Sequence, residues 1–176
     1  MRHSKNNDLA LTGLFICLVT ISTMFIKISI PMTQGYVHLG DSMIFLSVLV
    51  LGTKKGTIAG SLGSALGDFL GGYPMWVPWT LVIKGLMPFV VGIIIYKYRK
   101  NTKHSLALEI FAMTIGGIVM CIGYYIAASI MYGSWYTPLF SIPWNIGQFI
   151  FGIVISLLLQ EALCHTTAKK YFHAAI

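Results

Sequence analysis

The apolar residues of this chain fall into six blocks, at about 9–28, 40–52, 56–71, 77–97, 106–132 and 142–163, joined by short polar or aromatic connectors. The longer blocks lack both the alternation of a half-buried strand and the one-sided stripe of a surface helix. A bilayer's hydrocarbon core, roughly 30 Å thick, is crossed by a helix of about 20 such residues. Inside it every backbone N–H and C=O must be paired within the protein, which favours helices. Composition agrees. The 176 residues are 56% apolar and 10% charged, against about 25% charged in soluble domains. The expected architecture is an all-α integral membrane protein, a six-transmembrane-helix bundle forming one membrane domain over residues 1–176.

The opening "MRHSKNNDLALTGLFICLVTIS" pairs a basic start with an apolar run, as a secretory signal does. The run is as long as a spanning helix and no small-x-small cleavage pattern follows, so it reads as a retained first helix. Cys17, Cys121 and Cys164 are widely separated in or beside apolar runs. They form neither a disulfide framework nor a metal site and read as packing residues.

Basic residues set the expected orientation, because cytoplasmic connectors collect Lys and Arg. With six spans, all of the twelve Lys and Arg residues except Lys27 and Lys84 fall on one side. Both termini are therefore expected to be cytoplasmic. These flanks account for the net charge of +7 without a nucleic-acid partner.

The third block, "KKGTIAGSLGSALGDFLGGY", carries small residues four apart at Gly56, Gly60 and Ser64, and again at Gly63, Gly67 and Gly71. Such spacing lets helix backbones approach closely. Ile58, Leu62, Leu66 and Phe69 keep helical spacing and favour a helix over a flexible loop.

The outer connectors, "SIPMTQGYVHLG", "GGYPMWVPW" and "YGSWYTPLFSIPW", hold almost no charge but many aromatic rings. Some belong to an interfacial belt. Others are placed to line a cavity for a flat ligand. In this reading Gln34, Tyr36 and His38 are ligand contacts, and Trp76 and Trp79 stack on a ring. Tyr124, Tyr125 and Ser129, in the outer half of the fifth block, face the same space.

An ionisable residue inside a membrane marks a functional site by default. Lys84, in "VPWTLVIKGLMPFVVG", is such a residue. It snorkels outward, pairs with Asp68, or reaches a ligand pocket from below. Asp41 precedes "SMIFL" at a position suited to an N-cap, with ligand contact as a further role. In "SIPWNIGQFIFGIVI", Asn145, Gln148 and Gly152 share one helix face. Two amides there suit the edge of a nitrogen heterocycle or hydrogen bonds between helices.

The sequence has no GxxxxGK[ST], HExxH or GxSxG pattern. Catalysis by a small membrane enzyme would rest on Asp41, Asp68 and His38. A solitary secondary transporter is the other alternative, although no repeat of the first half is visible in the second.

The run "GYVHLGDSMIFLSVLVLGTKKGTIAGSLGSALGDFLGGYPMWVPWTLVIKGLMPFVVG", from Gly35 to Gly92, resembles the substrate-binding S components of energy-coupling factor (ECF) vitamin transporters. It is most similar to the branch for riboflavin, hydroxymethylpyrimidine and pyridoxine-type substrates. The resemblance implies a six-helix subunit of the bacterial cell membrane that binds a vitamin outside, under a lid between helices one and two. Its implied partners are a transmembrane coupling protein and two cytoplasmic ATPases, whose ATP hydrolysis reorients it to release ligand inside. No cofactor or metal is implied. Family members meet the coupling protein partly through AxxxA in the first helix. The matching stretch here is "TGLFICL", which places Gly13 and Cys17 at the partner interface and departs from alanine at both. A small ring of the pyridoxine or hydroxymethylpyrimidine type is the expected substrate, with riboflavin the alternative.

Overall fold

Glycine spacing in the third block decides how the helices meet. The computed structural model describes residues 5–25, 27–29, 36–98 and 105–166. Among these, six helices carry the fold: α1 (Lys5–Phe25), α2 (Gly40–Leu51), α3 (Thr53–Leu70), α4 (Val77–Tyr98), α5 (Leu106–Tyr132) and α6 (Ile142–Cys164). The two small-residue stripes of α3 serve different partners. A methyl group at Gly56 would lie 2.8 Å from Val48 Cα, and one at Gly60 2.9 Å from the Ile44 side chain, so this face packs on α2. A methyl at Gly63 would lie 2.7 Å from Val19 Cβ, and one at Gly67 equally close to Thr23, so the other face packs on α1.

α2 and α3 form a hairpin turned at Gly52, whose φ of 78° is in the left-handed region that favours glycine. α2 is central: every residue in it except Met43 is buried. Its apolar character all round follows from that position. One core joins Phe45 and Leu49 of α2 to Met87, Met120 and Phe149; a second joins Leu46 and Val50 to Phe15 and Ala59. Pro88 lies inside α4 and cannot donate to the Lys84 carbonyl. Gly60 brings the α3 backbone towards that same oxygen.

The outer surfaces are apolar. Leu62 and Leu66 on α3, Leu86 and Phe89 on α4, Ile122 and Ile126 on α5, and Ile150 and Val154 on α6 are all exposed. The buried set includes Asp41, Asp68, Lys84, Asn145 and Gln148. Apolar outside and ionisable inside is the polarity of a protein whose solvent is lipid. α1, α4, α5 and α6 lie in segments long and apolar enough to cross a bilayer, whereas α2 spans only 12 residues.

One element was not anticipated. Lys27–Ser29 (β1) and Tyr36–His38 (β2) pair antiparallel, with Lys27 opposite His38, between α1 and α2. A short 3-10 turn, Pro74–Trp76, precedes α4, and another, Thr137–Ser141, precedes α6.

Gly63→Ala should destabilise the chain by about 1–3 kcal/mol through overpacking against α1. Gly147→Ala, where nothing lies within 4 Å, should be neutral or mildly stabilising. Thermal unfolding of both variants in one detergent makes the comparison.

Candidate functional site

At the end of the bundle formed by the starts of α2, α4 and α6, β2 lies over a cavity. Tyr36, His38, Asp68, Trp76, Thr80, Tyr124, Ala128, Tyr132, Ser141, Asn145 and Gln148 line it. The space free of protein atoms, open mouth included, is about 530 Å³.

Beneath it Lys84 and Asp41, neither with any exposed surface, form an ion pair. The Lys84 ammonium also lies 2.9 Å from the Met120 sulfur and 5.5 Å from the centre of the Tyr124 ring. Gln148 Nε2 donates to the second Asp41 oxygen at 2.8 Å, and Gln148 Oε1 accepts from the His38 backbone N–H at 2.9 Å. One network thus ties α2, α4, α5 and α6 to β2.

Asp41 is not an N-cap. It lies in the first turn of α2, and the residue at the cap position, Leu39, makes no side-chain cap bond. His38 serves the helix start instead, its Nδ1 accepting from the Gly40 N–H at 3.0 Å. That bond leaves the proton of the neutral ring on Nε2. Burial, reinforced by the nearby Lys84 charge, lowers the His38 pKa to about 3.

Asp68 does not pair with Lys84. It accepts from the Tyr36 hydroxyl on one oxygen and the Thr80 hydroxyl on the other, and Tyr124 donates to Thr80 at 3.2 Å. Burial, then the Asp68 charge, raises the pKa of Tyr36. Lys27 lies behind this wall, donating to the Gly71 carbonyl at 3.2 Å, 5.5 Å from the Tyr36 ring centre and 5.1 Å from that of Tyr73.

Of the residues singled out from sequence, Tyr36, His38, Trp76, Asn145 and Gln148 line the cavity, and Asp41 and Lys84 form its floor. Trp79 packs against the hydrophobic core outside the lining, and Tyr125 donates to the Trp135 carbonyl at 3.0 Å. Gln34 lies outside the described residues. Gly13 and Cys17 are exposed on α1, outside the cavity lining. Tyr124 lines the cavity as the sequence suggests, whereas Thr80 and Tyr132 join the lining without a signal in the sequence, and Asp68 lines it as well. The aspartate was visible as a membrane-embedded carboxylate, but not which of two neighbours it served.

A free imidazole takes its proton near pH 6.5, the folded His38 only near pH 3. Between those values the unfolded chain binds more protons, so stability falls as pH drops from 7 towards 5. His38→Asn, which keeps an acceptor for Gly40, should flatten the dependence of the melting temperature on pH over that window.

Comparison with known proteins places this geometry in a family. Residues 3–165 match the family model for the ECF-type riboflavin transporter, S component. An uncharacterized protein in the gap 3' region of Pyrococcus woesei is 42% identical over 115 residues, covering 65% of this chain and 74% of that protein. The fold is similar to the crystal structure of the S component for biotin from an ECF-type ABC transporter, at a TM-score of 0.73 and 19% identity, covering 97% of this chain and 100% of that one. It is also similar to the S component of a bacterial ECF transporter, at a TM-score of 0.70 and 23% identity, covering 92% and 97%. With its apolar exterior, its cavity at one end and a family match over nearly its whole length, the chain belongs to the S components of ECF-type transporters.

Proposed function

We propose that this chain is the vitamin-capturing subunit of an ECF importer, binding a small aromatic vitamin or precursor in the cavity under β2. The observation that carries the reading is an amide without a partner. Asn145 is 6% exposed, lines the cavity and has no hydrogen bond among the described residues. Its amide faces the cavity with a donor and an acceptor to offer, and a ligand edge would engage both. Trp76, Tyr124 and Tyr132 supply ring faces beside it.

All six helices act as spans of one membrane domain in this proposal, with both termini cytoplasmic. Lys54, Lys55 and Lys97 lie at the bundle end opposite the cavity, and basic residues favour the cytoplasmic side. The cavity then faces outward, and the chain sits in the cell membrane. Gly13 and Cys17 form part of the face for the coupling protein. Nothing lies within 4 Å of a methyl placed at Gly13, so another helix has room to approach closely. Two cytoplasmic ATPases supply the energy for reorientation and inward release.

A ring of the pyridoxine or hydroxymethylpyrimidine type suits a cavity lined by the polar groups of Asp68, Thr80 and Asn145. Riboflavin is the second reading, favoured by the description of the matching family model.

Titrating the purified chain with pyridoxine, hydroxymethylpyrimidine, thiamine and riboflavin should give saturable quenching of tryptophan fluorescence with one of them. Trp76→Phe should remove most of that signal. Silence from all four, with no small molecule co-purifying, would sink the vitamin reading. Uptake into vesicles by this chain without ATPase partners would sink the coupled mechanism.

The floor has its own test. Asp41→Asn leaves a buried ammonium unpaired and should cost about 3–5 kcal/mol. Asp41→Asn combined with Lys84→Met should recover most of that loss in a chemical denaturation series.

A further inference from the structure

Lys27 is a cation that orientation does not explain. Basic residues of a membrane protein gather on its cytoplasmic side, yet Lys27 stands at the cavity end. Among the described residues there, the other cation, Lys84, is sealed in the floor. Lys27 opens β1 opposite His38, which makes Tyr36 its diagonal neighbour across the hairpin. The residue is exposed and lies outside the cavity lining.

What surrounds its ammonium is electron-rich. It donates to the Gly71 carbonyl at 3.2 Å, at the C-terminal cap of α3, where the helix dipole places partial negative charge. The ring centres of Tyr36 and Tyr73 lie 5.5 and 5.1 Å away, within cation–π range, and 4.4 Å from each other. Its charge also acts on Asp68, as does that of Lys84. Tyr36 belongs to β2, whereas Gly71 and Tyr73 belong to the connector between α3 and α4. One ammonium thus ties both strands of the hairpin to the end of α3. Tyr36 in turn donates to Asp68, whose carboxylate lines the cavity.

We propose that Lys27 is a positioning residue for ligand retention: its ammonium holds the β1–β2 hairpin against α3, and so sets how fast a bound molecule leaves the cavity without touching it. This rests on the reading of the cavity as the ligand site. A molecule under β2 leaves when the hairpin lifts, so its exit rate follows the fraction of time the hairpin is open. Breaking the tie raises that fraction and the exit rate together. Entry also needs the open hairpin and is not slowed. Because Lys27 is exposed, dissolved salt screens the tie.

Stopped-flow tryptophan fluorescence of the full-length chain in detergent, with pyridoxine, hydroxymethylpyrimidine, thiamine and riboflavin as probes, separates entry from release. Lys27→Met keeps the aliphatic stem and removes the charge. It should release the ring that binds roughly 5- to 30-fold faster, with association no slower. Lys27→Arg should stay within about threefold of the wild type. Tyr73→Leu, which removes one ring face, should quicken release by a smaller factor. From about 50 mM to about 1 M salt, release should quicken in the wild type and stay level in Lys27→Met. A purely structural role would slow association or lower the fraction of chain that binds while leaving release unchanged, and that result overturns the proposal. So does a Lys27→Arg variant that releases as fast as Lys27→Met. Hydrogen exchange of the ligand-free chain examines the tie by itself: residues 36–38 should exchange roughly 5- to 30-fold faster in Lys27→Met. Silence from all four rings overturns the cavity reading and the role in retention with it, whereas unchanged exchange overturns the tie itself.

Discussion

An ammonium and a carboxylate with no exposed surface stand at the centre of this bundle, and the geometry of the cavity depends on their finding each other. Lys84 and Asp41 come from α4 and α2, 43 residues apart. Isolated, either charge would be intolerable among methionine and phenylalanine side chains. Paired, they fix the rotation of α4 against α2. Gln148 adds α6 by donating to the free carboxylate oxygen. Gly152 is what allows it, because a methyl there would lie 2.9 Å from Asp41 Cβ. The floor of the cavity is therefore a charge problem solved by close packing.

From that floor two polar chains climb to the same short strand. Gln148 reaches the backbone of His38, and Asp68 reaches the hydroxyl of Tyr36. β2 is fastened to α6 on one side and α3 on the other. Its register with β1 places Lys27 near the Tyr36 and Tyr73 rings. Asp68 and Gln148, both in the cavity lining, are the groups bonded to this strand. The cavity wall and the seating of that strand thus share the same hydrogen bonds.

The all-helical class and the six helices were legible because long apolar blocks admit few alternatives, and the double stripe of α3 was legible as two close contacts. What could not be read was rotational phase. Consecutive residues on a helix point about 100° apart, so Tyr124 faces the cavity while Tyr125 turns to the Trp135 carbonyl. Trp79 and Thr80 divide in the same way, and the smaller residue lines the cavity. The choice between Asp41 and Asp68 as partner of Lys84 has the same origin: sequence distance favours Asp68, but the packing of α2 on α4 favours Asp41. Strands of three residues carry too little periodicity to announce themselves, and the β1–β2 hairpin went unseen for that reason.

The burial of α2 has a consequence for synthesis. A growing chain emits α2 early, with its carboxylate ready and its ammonium still unmade. Lys84 arrives 43 residues later and Gln148 107 residues later. Until then Asp41 has to be accommodated by water, headgroups or a protonated state. The helix at the middle of the finished bundle is thus among the last to acquire its surroundings.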